Sequence, residues 1–174
     1  LAKEHPDWLA EPNAAGLKVL GDKKVILDVT VPEALTYAGD LCAKIGQQWG
    51  FDALMPADCV YNLLLAEKYH DPSLTRVEVL ALGMKTIQDN FGEDKFIMTT
   101  VPQSVNAVFA QGIHIGKDCQ PMWRSTNMEQ SWGAVEALTN GIRCYYLTPH
   151  LYIPDTDCAF FGHPSSQKRW EMKD

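Results

Sequence analysis

Residues Ile26–Met55 read ILDVTVPEALTYAGDLCAKIGQQWGFDALM, and the fold class turns on how this stretch is parsed. Its opening belongs to the β-branched run Lys24–Val31, KVILDVTV, which predicts a strand. Pro32 then stands where a first-turn proline is tolerated, with Thr30 as the expected cap. Leu35, Ala38, Leu41, Cys42 and Ile45 follow at helical spacing. Gly50–Pro56, GFDALMP, is strand-like again. A strand, a helix and a strand in immediate succession make a parallel βα unit.

The pattern recurs downstream. In His70–Gly92, HDPSLTRVEVLALGMKTIQDNFG, Asp71 is the expected cap and Pro72 a first-turn residue. Leu74, Val77, Ala81, Met84 and Ile87 line one expected face, and Gly92 is the expected stop. Lys95–Pro102 (KFIMTTVP) predicts a strand and Gly112–Asp118 (GIHIGKD) a shorter one. Met128–Gly141 (MEQSWGAVEALTNG) predicts a helix with Met128, Trp132, Val135 and Leu138 as its apolar positions. Ile142–Pro149 (IRCYYLTP) and Asp157–Gly162 (DCAFFG) predict the last strands. The class is α/β. A doubly wound sheet and a β/α barrel both fit, and the strand candidates are too few to close an eight-stranded barrel, so the sheet is open or the chain is part of something larger.

The chain has 174 residues, 46% of them hydrophobic and 21% charged, enough apolar material for a sizeable core. A net charge of −7 argues against a nucleic-acid groove or an anionic membrane surface as the main partner. No apolar run has the length of a membrane span. The five cysteines, Cys42, Cys59, Cys119, Cys144 and Cys158, form no C-x-x-C pair, and the histidines lack H-E-x-x-H spacing. Buried thiols are expected, and no metal or organic cofactor.

Five segments, in order, resemble the melibiase-like glycoside hydrolases, the α-galactosidases and raffinose synthases of family 36. Glu4–Ala10 (EHPDWLA) is similar to that family's H-P-[DE]-W-L loop, and Ile26–Met55 to its L-D-x-T-x-P-E-A…W-G-F-D-Y-x-K element. Tyr69–Ile87 resembles the helix after the nucleophile strand. Ile113–Trp123 (IHIGKDCQPMW) resembles R-I-G-x-D-x-x-P-x-W, and Leu147–Cys158 (LTPHLYIPDTDC) the closing H-x-x-L-W-x-N-D-P-D-C. The resemblance implies a (β/α)₈ TIM barrel of which this chain covers roughly the third strand to the eighth. Residues 1–163 are then barrel and 164–174 a tail or linker, with the remainder of a larger polypeptide and a possible homo-oligomeric copy as partners.

The resemblance also implies a retaining mechanism, in which one carboxylate attacks the anomeric carbon and a second carboxyl protonates the leaving oxygen. Asp118 occupies the acid/base position. Asp58 is the nucleophile candidate but stands one residue late, because an ungapped match from Trp49 puts Met55 on the family's lysine and Ala57 on its nucleophile. A bulge at Pro56 would restore its aim. His114 replaces the arginine before I-G-x-D, exchanging a permanent cation for one that titrates near neutrality. Thr100 lies where Cys-Gly-x-Pro is usual, and Asp155 and Asp157 match D-P-D. His114, Thr100, Trp123 and Asp157 are the expected substrate contacts, and Trp8 and Tyr152 are further aromatic candidates. Arg124 and Glu129 lie near the acid/base loop. The implied activity is hydrolysis of terminal α-galactosides in an oligosaccharide or glycoconjugate. The alternatives are transglycosylation with the same carboxylates, or a carbohydrate-binding barrel without a nucleophile.

Overall fold

The structure, a computed structural model, describes residues 1–20, 25–56, 58–100, 106–120, 123–125, 132–147 and 151–156, without the side chains of Val19, Asp58, Cys59 and Asn106. The chain divides into two compact units, Leu1–Ala110 and Gln111–Asp174.

In the first unit, a 3₁₀ turn at Pro6–Trp8 leads into strand β1 (Leu9–Ala10) and helix α1 (Ala14–Leu20). Strand β2 (Ile26–Leu27) pairs antiparallel with β1, Leu9 facing Leu27 and Ala10 facing Ile26. Helix α2 (Pro32–Ala43) follows and widens into a π-type turn over Lys44–Gln48. Strand β3 (Ala53–Leu54) comes next, then helix α3 (Asp58–Tyr61), a 3₁₀ turn (Asn62–Leu65) and the long helix α4 (Arg76–Phe91). Strand β4 (Phe96–Thr100) runs parallel to β3, Ala53 beside Phe96 and Leu54 beside Ile97, and α5 (Asn106–Phe109) ends the unit.

Helix α4 starts and stops for local chemical reasons. The Thr75 hydroxyl accepts from Glu78 N at 3.3 Å while Thr75 N donates to the Glu78 carboxylate at 2.8 Å, a reciprocal cap. These bonds from the Thr75 backbone and hydroxyl hold the Glu78 carboxyl below its usual range. Gly92 ends the helix at φ 138°, a conformation that side chains resist. The buried face carries Val79, Leu80, Met84, Ile87 and Phe91, each worth about 1.5–3 kcal/mol of burial. It meets α2 closely. A Cβ on Gly46 would come 2.1 Å from the Phe91 carbonyl oxygen, so only glycine lets the π-type turn pass there.

Three expectations for this helix and its neighbour are corrected. Asp71 does not cap α4: its carboxylate accepts from Ser73 N and Oγ in a turn of its own, and those bonds lower its pKa. Val77 is exposed and Ala81 only half-buried, because the core-facing stripe is turned toward Val79, Leu80 and Met84. Thr30 does not cap α2, which begins after Val31 without a side-chain cap. The Thr30 hydroxyl is used elsewhere, as described below.

The second unit contains strand β5 (Gly112–His114), helix α6 (Ala134–Cys144) with a 3₁₀ turn at Tyr145–Leu147, and strand β6 (Ile153–Asp155). β5 and β6 are parallel, with Gly112 facing Ile153 and His114 facing Asp155. β5 is buried at all of its positions, as a parallel strand covered on both faces should be. Over Ile142–Leu147, the described part of the strand expected at Ile142–Pro149, the chain is instead the end of α6 and its 3₁₀ turn. Tyr145 and Tyr146 are about three-quarters exposed there, so aromatic content reported no pleated surface at this point. Trp132 precedes α6 rather than lying on it, Ala134 and Ala137 are its buried positions, and Leu138 is exposed. Asp157–Gly162, the tail 164–174 and Met128 lie outside the described residues. Cys42 and Cys119 are buried thiols outside any disulfide, and Cys144 is half-buried.

Candidate functional site

In parallel βα units chemistry gathers where strands end. In the first unit, β3 and β4 lead to Asp58 and Thr100, and Asp28 follows β2 of the separate antiparallel pair. Asp28 is a carboxylate with 3% exposure. Its Oδ1 accepts from Thr30 N at 2.9 Å and Thr30 Oγ1 at 2.7 Å, and its Oδ2 accepts from His70 N at 2.6 Å. The Thr30 hydroxyl oxygen in turn accepts from Asp71 N at 3.0 Å. The end of β2 is thus clasped to the segment between α3 and α4. Tyr69, beside this clasp, donates its hydroxyl to Leu63 O, and burial pushes its pKa up. Arg76 reaches Ala66 O through Nε and Nη2 at 3.3 and 3.2 Å. Sequence reading missed Asp28 as a structural hub, because its partner is 42 positions away.

Strand β3 ends at Leu54, and Asp58 is the first residue of α3. The expected bulge within a strand is therefore corrected: Asp58 is carried past the strand on a helical turn, where the alternation of strand faces no longer governs its direction. Its side chain lies outside the described residues. Thr100 is the last residue of β4, half-buried, on the face opposite Ile97 and Thr99. The Thr99 hydroxyl is buried with no hydrogen-bond partner. Asp52 sits at the surface, 3.3 Å from Lys95 Nζ. Trp8 is already occupied on one face, stacked on His5 with ring centroids 3.9 Å apart and with Tyr37 at 5.8 Å.

In the second unit the edge is better built. His114 ends β5 with 8% exposure, and its Nδ1 lies 3.0 Å from Asp155 Oδ2 at the end of β6. Ile115 N donates to Asp155 O at 2.8 Å, so the two strand ends are tied by main chain and side chain alike. A ligand contact from His114 would therefore come through Nε2. Four residues on, Asp118 is exposed. Its carbonyl accepts from Trp132 N at 3.1 Å, and Trp132 O accepts from Gln120 N at 2.8 Å, which holds the Asp118 loop backbone to backbone. The Trp132 ring lies against Gly116, where a Cβ would come within 2.7 Å of it.

Trp123 is 48% exposed, and its carbonyl accepts from Val135 N at 3.0 Å. Glu136 accepts from Ser125 N at 3.1 Å and Gly133 N at 2.9 Å, with Arg124 Nη1 at 4.0 Å. Burial pushes the Glu136 carboxyl up, but these N–H groups and the Arg124 charge outweigh it and leave its pKa below the ordinary range. Glu136 was also missed, although Gly133-x-x-Glu136 ahead of a helix is a capping pattern. Tyr152 is 7% exposed, so it presents no platform to a sugar; burial first, then the Cys144 thiol, raises its pKa.

The structure thus brings His114 and Asp155 into contact and puts Asp118 and Trp123 on loops of the same unit, while Asp58 and Thr100 belong to the other. Asp157 and Glu129 lie outside the described residues. Among the described residues, no three His, Cys, Asp or Glu side chains converge as a metal site.

No family model matches the sequence, and no curated protein matches it significantly. The fold does match solved structures. The α-galactosidase from Thermus thermophilus in complex with stachyose superimposes with a TM-score of 0.69 at 20% identity, over 97% of this chain and 38% of that one. The same enzyme in complex with p-nitrophenyl α-D-galactopyranoside gives a TM-score of 0.69 at 20% identity, over 97% of this chain and 36% of that one. The chain has an α-galactosidase-like α/β fold and spans less than two-fifths of the length of these proteins.

Proposed function

We propose that this chain forms the third to eighth strands of a (β/α)₈ barrel in a retaining α-glycosidase that acts on terminal α-galactosides. Asp58 attacks the anomeric carbon and Asp118 protonates the leaving oxygen. Asp118 then takes a proton from the water that releases the galactosyl group. Trp123 offers an apolar face to the sugar, His114 and Thr100 supply polar contacts, and Asp157 joins them from the closing loop. One observation carries the reading: Asp118 is exposed on a loop anchored through Trp132, in a fold shared over 97% of the chain with an α-galactosidase. Stachyose and p-nitrophenyl α-D-galactopyranoside, bound by that neighbour, define the first substrates to try.

A second reading, a carbohydrate-binding barrel without turnover, is favoured by the local sequence at Met55–Asp58. Neither a lysine nor an acid stands at the aligned positions, and Asp58 opens a helix. Turnover of p-nitrophenyl α-D-galactopyranoside separates the two. In the enzyme reading Asp118→Asn lowers kcat by about 10²–10⁴-fold. Azide then partly restores the rate and yields the α-galactosyl azide. Asp58→Ala with azide yields the β-galactosyl azide, because the small anion enters from the face the nucleophile has vacated. Sugar binding with no turnover selects the second reading. Galactosyl transfer to an added sugar acceptor in preference to water identifies a transglycosylase.

A further inference from the structure

Glu136 does more than start a helix. Its side chain is 10% exposed, yet it bonds outward, to Ser125 N as well as to Gly133 N at its own cap. The carboxylate therefore links the first turn of α6 to the Trp123–Ser125 loop. Two further features hold the same loop. Val135 N donates to Trp123 O, and Gly133 lies so close that a Cβ would come 2.8 Å from Trp123 O and 2.9 Å from Arg124 Cα. Between the loop and the helix, a cavity of about 280 Å³ is lined by Arg124, Trp132, Val135 and Glu136, among others. The Glu136 carboxylate brings a charge to this junction, with the Arg124 guanidinium 4.0 Å away, and a bond to an ionised acceptor is stronger than one between neutral groups.

We propose that Glu136 is a positioning residue that sets the pose of Trp123 and thereby the affinity of the site for its sugar. This rests on the reading of Trp123 as a carbohydrate contact. Glu136 itself touches neither the sugar nor the reacting atoms. Releasing its carboxylate costs binding rather than chemistry.

The experiment compares wild type, Glu136→Ala and Glu136→Gln by two readouts. The first is amide hydrogen exchange at Ser125, which needs no substrate. The second is the KM–kcat split on p-nitrophenyl α-D-galactopyranoside. Glu136→Ala should abolish the protection of Ser125 and raise KM about tenfold while kcat stays within twofold. Glu136→Gln keeps an acceptor oxygen but not the charge, and should fall between the other two, which keeps the test valid if the alanine variant folds poorly. Unchanged Ser125 exchange overturns the proposal, as does a fall in kcat at constant KM. Lost Ser125 protection in a protein that turns over no α-galactoside upholds the positioning and places the failure in the proposed activity.

Discussion

Asp28→Asn is nearly isosteric, so it isolates the charge and the acceptor count of one buried group. The native carboxylate accepts three hydrogen bonds, two from Thr30 and one from His70 N. Asparagine offers one oxygen and one NH₂. Its better orientation keeps the oxygen toward Thr30 and points the NH₂ at the His70 N–H, two donors across a 2.6 Å gap that must widen. One bond to a charged acceptor is lost, about 1.5–3 kcal/mol, and a donor is left short of a partner at 3% exposure, so the total is about 2–4 kcal/mol. That is a large share of the roughly 5–15 kcal/mol that holds a domain folded. Thr30→Val removes two hydroxyl bonds, the one donated to Asp28 and the one accepted from Asp71 N, and should cost about 1–3 kcal/mol. Urea titrations of the two variants measure the difference, and hydrogen exchange at the His70 amide reports whether the clasp itself has opened. A stability for Asp28→Asn within about 0.5 kcal/mol of wild type, with His70 still protected, would refute the accounting.

Three other outcomes follow from the geometry. Gly46→Ala drives a methyl group into the Phe91 carbonyl and should destabilise by about 3 kcal/mol, seen as a lower urea midpoint at unchanged m-value. Thr99→Val removes a buried hydroxyl without a partner and should stabilise by about 1 kcal/mol, measured by thermal unfolding; a loss of stability would mean that the hydroxyl is satisfied in solution. Because the Glu136 pKa is depressed on folding, its contribution is complete above the unfolded value near 4.5 and is lost as pH falls through the folded value below it. The stability gap between wild type and Glu136→Gln should therefore be constant from pH 6 to 8 and shrink on acidification.

What could be read from the residues was local. Helices α2 and α4 announced themselves by period, and Gly92 by its place after the last apolar residue. The cap of α4 was missed because Asp71-Pro72 and Thr75 both fit the pattern. Only the reach of Glu78 decided for Thr75, while Asp71 was consumed by Ser73. Ile142–Leu147 misled because β-branched and aromatic residues also suit an exposed helix end. At the candidate site, Asp118 and His114 were legible from a motif. The contact of His114 with Asp155, 41 positions away, depends on β5 and β6 being neighbours, which no local pattern encodes. The same holds for Asp28, whose acidic side chain just after an apolar strand carries no sign of its distant donor.

The Asp28 clasp also has a topological meaning. By joining the end of β2 to His70, it turns the intervening chain into a ring closed without covalent bonds. At the far side of that ring lies Gly50, at φ 73° with nothing near its Cβ position and with exposed Trp49 and Phe51 on either side. A break in the chain there would leave the two segments on either side of it joined by the clasp. Gly50 is accordingly the place to open this unit for a circular permutant or an inserted reporter, and Asp28 is the residue that such a permutant would depend on.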